Sequence, residues 1–235
     1  MKKVLIIALL CFTVVIAAKE KETEEVNAFD RYMNEQTQES FLEAYNKYGK
    51  LASEGDQQAR LMLAYLNLYE LQRQIEIMEN QDSLHFKMKF SLANLLLEIG
   101  KFDRSIEIYT SINEQMPKWS CPWRHRGEAY FKSGKYEEAE NALEKAIETR
   151  KTHYDAYVML ADVQNHMGNH KEALKTFEKG KEYRDKDIEN PEEELPNDAD
   201  LFIYLEILEA NEMDQKYSEL KQKLKKKYPD DTRLN

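Results

Sequence analysis

One spacing constrains the fold of this chain more than any other feature: Gly100, Gly134 and Gly168 lie 34 residues apart. The residues seven before and five after each glycine are small, and the residue nine after is bulky. Because a period of this length is typical of stacked helix–turn–helix units, the sequence predicts three helical repeats over residues 85–187. The small residues predict where paired helices approach closely, and the bulky ones fill space between units. In chain order these nine positions are Ala93, Ser105, Tyr109, Gly127, Ala139, Leu143, Ala161, Ala173 and Phe177.

Helical periodicity continues on both sides of the repeats. Apolar residues at three- and four-residue steps predict one degenerate helix pair over residues 37–84 and a degenerate repeat or capping pair over residues 199–235. Residues 19–36 are polar, and they predict a tether or a loosely formed helix. Residues 188–198 predict an acidic loop with two prolines. The chain has few helix breakers and no strand pattern, so we expect an all-α protein of about five helix pairs.

The central repeat carries a recognisable set of residues at fixed offsets, namely Trp123, Gly127, Tyr130, Ala139, Leu143 and Ala146. This set resembles the tetratricopeptide repeat family, although Arg126 and Lys151 stand where that family usually has leucine and proline. The resemblance implies an α-solenoid with a right-handed superhelical path. It also implies that the first helix of each pair lines a concave groove that binds protein.

Groove residues follow from the resemblance, position by position. They are Lys87, Phe90 and Asn94 in the first repeat, Arg124, His125, Glu128 and Phe131 in the second, and Asp155, Met159 and Asp162 in the third. Relatives that clamp the carboxylate tail of cytosolic chaperones use basic residues and asparagine here. Asn94 matches that pattern, whereas Phe90, Asp155 and Met159 do not, so such a tail is disfavoured.

Arg124 is the groove residue best suited to anchor a partner, because a guanidinium forms paired hydrogen bonds with a carboxylate and stacks on aromatic rings. Phe90 and Phe131 would supply apolar contact on either side. The alternative is that Arg124 pairs with Glu128 one helical turn further on.

The N-terminus predicts export. Lys2 and Lys3 precede an apolar run that ends in Ala17 and Ala18, and the three parts together are typical of a secretory signal. We therefore expect a signal peptide over residues 1–17 or 1–18, and a periplasmic or secreted protein with no stable membrane insertion after cleavage. An uncleaved anchor would need a longer apolar run, and a lipoprotein would keep Cys11.

Charge and cysteine content narrow the function classes. A formal net charge of −10 argues against nucleic acid as the main partner. Cys121 is the one cysteine beyond the signal, so no intramolecular disulfide is expected. His166 and His170 flank a turn glycine and are expected on different helices, which disfavours a metal pair. Cys121 and His125 lack an orienting acid for nucleophilic catalysis. We expect no cofactor.

The sequence therefore predicts a non-enzymatic scaffold with a protein or peptide partner, and it leaves homo-oligomerisation open. Two alternatives remain. The first is a structural subunit of an envelope complex or a self-assembling protein. The second is an enzyme or metal-binding protein whose site the sequence does not reveal.

Overall fold

The computed structural model describes residues 28–81, 83–187 and 198–234. Within these ranges the chain is helical, with eleven α-helices, one short 3-10 helix at Thr232–Leu234 and no strand, as the sequence predicts. The predicted signal peptide and most of the acidic loop lie outside the described residues. The chain divides into two compact units, Met1–Asp82 and Ser83–Asn235.

Unit 1 contains three described helices, α1 (Ala28–Glu35), α2 (Gln38–Ser53) and α3 (Gln57–Glu79). The side chain of Thr37 caps α2, and Ser40 completes a reciprocal capping box. The Asp56 carboxylate caps α3. These caps place α2 and α3 as the helix pair that the sequence predicts for this region.

Helix α1 differs from the prediction of a tether or loosely formed helix over residues 19–36. Phe29 and Tyr32 are buried in the core of unit 1, so residues 28–35 form a packed helix. The segment is polar on average, but these two aromatic residues lie three apart and therefore share one helical face. The polar composition of the segment as a whole did not indicate this narrow apolar stripe on one helical face.

A buried polar network ties α1 to α3. Tyr32 is fully buried and its hydroxyl donates to Glu70, while Arg73 donates to both Glu70 oxygens at 2.8 Å. Burial alone would raise the pKa of Glu70, but the hydrogen bonds from Arg73 and Tyr32 outweigh it and hold that pKa at about 2. The carboxylate therefore stays ionised.

Unit 2 contains four helix pairs followed by the 3-10 helix. They are α4 (Phe86–Glu98) with α5 (Phe102–Gln115), α6 (Ser120–Lys132) with α7 (Tyr136–Thr149), α8 (Tyr154–His166) with α9 (His170–Asp187), and α10 (Asp198–Ala210) with α11 (Asp214–Lys227). Helix α9 ends at Asp187, the last residue of the predicted repeat region 85–187. With the pair in unit 1, the described helices make up five pairs and the additional helix α1.

The predicted close-contact positions are buried. In the first repeat the Ser105 hydroxyl donates to the Ala93 carbonyl oxygen at 2.9 Å across the pair. In the second, a Cβ atom at Gly127 would lie 2.6 Å from Leu143 Cγ and 3.3 Å from the Ala139 carbonyl oxygen. The small residues are therefore required by the distance between paired helices, as predicted.

The turn glycines also match the prediction, since all three have φ between +76° and +81°. The sequence analysis missed a further contact point. A Cβ atom at Gly180 would lie 2.4 Å from Tyr157 Cβ, so glycine is needed where α9 crosses α8. The position of Gly180 could have predicted this contact, because Gly180 stands one 34-residue period after the buried Ala146.

The helices of unit 2 form two layers. Successive first helices, α4, α6, α8 and α10, contact one another. The second helices α5, α7, α9 and α11, as far as the structure describes them, contact first helices and not each other. A stack of pairs whose first helices touch while its second helices stay apart is curved, and its concave face is lined by the first helices. None of the described helices combines the length and apolar character that a membrane crossing requires.

Candidate functional site

One position of the inner layer carries a polar side chain in every helix pair of unit 2. Asn94, Glu128 and Asp162 lie 34 residues apart on α4, α6 and α8, and Glu206 takes the corresponding place along α10. Because these helices contact one another in sequence, the four side chains form a row along the concave face. The surroundings of each member differ, and they determine the local charge of the groove.

Glu128 lies at the centre of a cluster of nitrogen-bearing side chains on α6. Its Oε2 atom is 2.6 Å from Arg124 Nη1 and 3.6 Å from His125 Nδ1, and its Oε1 atom is 2.8 Å from Lys132 Nζ. The Glu128 side chain is 16% exposed. Burial alone would raise its pKa, but His125, Lys132 and Arg124 together hold the pKa of Glu128 at about 2. The carboxylate is therefore firmly ionised and its charge is compensated.

An aromatic group adjoins this cluster. The Phe90 ring lies 5.2 Å from the His125 ring and 5.9 Å from the Tyr109 ring, and Tyr109 stacks on His125 at 5.9 Å. The Tyr109 hydroxyl donates to Asn94 Oδ1 at 2.5 Å. The groove residues Phe90, Asn94 and His125 are thus held together by a residue of the outer helix α5. Sequence reasoning assigned Tyr109 only to packing and missed its polar contact.

Asp162 has a different environment. Its Oδ1 atom lies 3.1 Å from His166 Nδ1, and the Asp162 side chain is also 16% exposed. Burial raises the pKa of Asp162; His166 opposes the shift and the charge of Glu206 adds to it. The His166 ring packs edge-on against Phe131 at 5.0 Å. The third repeat therefore carries an acid with one titratable imidazole as its partner.

The remaining predicted groove residues have distinct places. Lys87 and Asp155 are exposed near the starts of α4 and α8, and neither joins the clusters described above. Met159 is half-buried and packs against the core between α7 and α8. Arg124 pairs with Glu128, as the alternative interpretation has it.

The structure also places the two histidines that flank the turn glycine and the cysteine beyond the predicted signal peptide. His166 lies on α8 and His170 begins α9, as predicted, and their Nδ1 atoms contact different partners. Cys121 is a half-buried free thiol at the start of α6. Within the described ranges, no group of three or more histidine, cysteine or acidic side chains is arranged to hold a metal ion.

Comparison with known proteins agrees with the repeat architecture. Residues 130–190, which run from the end of α6 past the end of α9, match the family model of the tetratricopeptide repeat. Unit 2 is thus a solenoid of helix pairs, and its central part, residues 130–190, is similar to tetratricopeptide repeats. Among curated proteins, no sequence relative matches.

Solved structures resemble this chain at low sequence identity. A tetratricopeptide repeat protein from Parabacteroides merdae ATCC 43184 is 16% identical, with a TM-score of 0.52 over 83% of this chain and 70% of that one. MamA MSR-1 C2 is 22% identical, with a TM-score of 0.48 over 63% and 89%. The second repeat domain of Spaghetti (RPAP3), bound to the HSP90 peptide SRMEEVD, is 27% identical, with a TM-score of 0.40 over 45% and 95%. The first of these matches shows the shared fold.

Proposed function

We propose that this chain is a non-enzymatic scaffold that binds an extended peptide or a helix of a partner protein in the concave groove of unit 2. The observation that carries the proposal is the continuous inner layer of first helices, with half-buried aromatic and charged side chains along it. Such a surface offers both apolar contact and directional hydrogen bonds, which is the composition of protein-binding sites.

Arg124 supports this proposal through its unused donors. Its contacts with Glu128 and His125 both involve Nη1. Its Nε and Nη2 atoms form no hydrogen bond or ion pair with any described residue, although the side chain is only 19% exposed. The pair with Glu128 therefore orients the guanidinium and leaves one edge for a carboxylate or carbonyl of a bound partner.

The aromatic neighbours support the same location. Phe90 lies on the neighbouring helix α4 with its ring 5.2 Å from that of His125, and Phe131 lies two helical turns after Arg124 on α6. Both are half-buried and held by other aromatic rings. Rigid aromatic residues next to an arginine contribute most of the binding free energy in many interfaces.

The test begins with capture of the partner from the native compartment, followed by mass spectrometry and an affinity measurement with the purified partner. Arg124→Ala should weaken binding by about 1–3 kcal/mol, because it removes the oriented guanidinium. Arg104→Ala is the matched control, since Arg104 is an exposed arginine on the outer helix α5 that pairs with Glu107. Equal affinities for the two variants, with unchanged circular dichroism, would place the binding surface elsewhere.

Export is the second part of the proposal, and the N-terminal sequence supports it. The mature protein should begin at Ala18 or Lys19, and it should occur in the periplasm or outside the cell. N-terminal sequencing of the protein recovered from that compartment is the measurement. A protein that begins at a lipid-bearing Cys11, or one that retains Met1, would contradict it.

A further inference from the structure

An apolar pocket opens at the first-repeat end of unit 2. It is formed by Phe86 and Lys87 at the start of α4 and by residues 115–119, the turn that joins α5 to α6, and its volume is about 630 Å³. The turn is ordered by two hydrogen bonds. The Trp119 amide donates to the Met116 carbonyl oxygen at 3.0 Å, and the Trp123 indole donates to the Pro117 carbonyl oxygen at 3.1 Å.

Aromatic rings form the wall of this pocket and hold its shape. The Trp119 ring meets Phe86 edge-on at 5.7 Å, and it lies 4.8 Å from Phe90, one of the groove residues. Trp119 is half-buried, so part of the indole faces the pocket. The pocket is therefore connected to the groove through Phe90, and its wall is rigid and apolar.

Two lysines stand at the rim of the pocket. Lys87 and Lys118 are both exposed, and no acidic residue is among the residues that line the pocket. Within the described part of the chain, no ion pair is formed by either ammonium group. In a chain with a net charge of −10, this is a local surface of positive charge around an apolar wall.

We infer that this pocket binds an apolar side chain of the partner peptide that is flanked by acidic residues. The inference rests on the proposed function, since Lys87 and Phe90 belong to the groove and the pocket adjoins the groove at the first repeat. The apolar side chain contacts Trp119, Phe86 and Met116. The flanking carboxylates pair with Lys87 and Lys118, since no acidic residue lines the pocket beside them. Charge complementarity thus selects an acidic segment over a basic one.

The experiment uses the fluorescence of Trp119. The chain has two tryptophans, so Trp123→Phe leaves Trp119 as the sole indole. Three capped hexapeptides serve as probes: Glu-Glu-Leu-Phe-Glu-Glu, Lys-Lys-Leu-Phe-Lys-Lys, and Glu-Glu-Ser-Ser-Glu-Glu. We expect the first to change Trp119 emission and to bind about tenfold more tightly than the second at low salt, with the difference shrinking as salt is added. The third peptide, which lacks the apolar pair, should not change the emission.

The double charge reversal Lys87→Glu/Lys118→Glu provides the matched control. Both side chains are exposed, so the fold should be retained, and the preference between the acidic and basic peptides should reverse. Calorimetric titration of the unmodified chain repeats the comparison without the Trp123 substitution. Equal affinity for the two charged peptides, or no reversal in the variant, would overturn the inference.

The same titration separates this inference from the proposed function. A hexapeptide that fills the pocket does not need Arg124, so Arg124→Ala should leave its affinity unchanged while weakening the natural partner. If Arg124→Ala does not weaken binding of the natural partner but the acidic hexapeptide still binds, the groove proposal is wrong and the pocket inference is supported. If the hexapeptide does not bind but the partner requires Arg124, the pocket inference alone fails.

Discussion

Glu128 on α6 and Asp162 on α8 occupy the same position in successive repeats, and their side chains are equally exposed at 16%. Two cations, Arg124 and Lys132, and the imidazole of His125 surround Glu128, and the pKa of its carboxyl is lowered to about 2. Asp162 has one imidazole partner and the negative Glu206 nearby, and its pKa is raised. Equal burial therefore gives opposite electrostatic outcomes, because the neighbours differ.

The packing beneath these two acids is nevertheless the same. Ala139 behind α6 and Ala173 behind α8 are both fully buried at the equivalent place in the second helix of each pair. Close helix approach requires small residues wherever the repeat recurs, whereas the inner face carries no such geometric requirement. The packing between paired helices therefore repeats along this protein, whereas the electrostatic environment of the inner face differs from one repeat to the next.

The largest expected effect tests the shared packing. Ala139→Leu and Ala173→Leu should each destabilise the protein by up to about 3 kcal/mol, because added methylene groups have no room between paired helices. Chemical denaturation of both variants is the measurement. If only one of the two variants were as stable as the original chain, the two repeats would not share the same packing.

The next prediction concerns Glu128, whose negative charge is compensated by its neighbours. Glu128→Gln should destabilise the protein by about 1.5 kcal/mol at neutral pH, because it removes a charged acceptor from Arg124 and Lys132. Asp162→Asn is the matched control at the equivalent position, and it should be neutral or stabilising, because the neutral amide avoids the burial of a charge that only His166 offsets. Denaturant midpoints of the two variants provide the comparison. The same loss of stability in both would mean that the neighbours of each acid do not matter.

A further prediction concerns the pH dependence of stability that this pair of acids produces. The folded pKa of Glu128 is lowered from about 4.5 to about 2, so its contribution is present above the upper value and is lost as the pH falls towards the lower one. The folded pKa of Asp162 is raised, so its protonation favours the folded state on acidification.

Stability should therefore fall less steeply between pH 4.5 and 2 in Glu128→Gln than in the original chain. In Asp162→Asn it should fall more steeply on acidification at pH values above 3.8, the ordinary pKa of an aspartate, because the folded pKa of Asp162 is raised from that value. Denaturation curves at several pH values measure these slopes. Parallel slopes in all three proteins would contradict the assigned pKa directions.

Part of the candidate site could be predicted from the sequence. The resemblance to the repeat family implied that Arg124, Glu128 and Asp162 lie on the first helices, and they lie on α6 and α8. The sequence also allowed Arg124 to pair with Glu128, since both lie on one helical face. It could not predict that Tyr109, from the neighbouring outer helix, holds Asn94, because that contact depends on the rotamers of two helices.

By itself the sequence determined the three helix pairs over residues 85–187, their turn glycines and all of their close-contact points except Gly180. Each of these recurs every 34 residues and depends on residue size or on glycine at a positive φ, so local pattern is sufficient. Only the tertiary structure decided that α1 packs in the core of unit 1, that Glu128 is compensated while Asp162 is not, and that Lys87 and Lys118 stand at one apolar pocket. These features depend on which side chains from separate helices meet, and no spacing along a single helix specifies that.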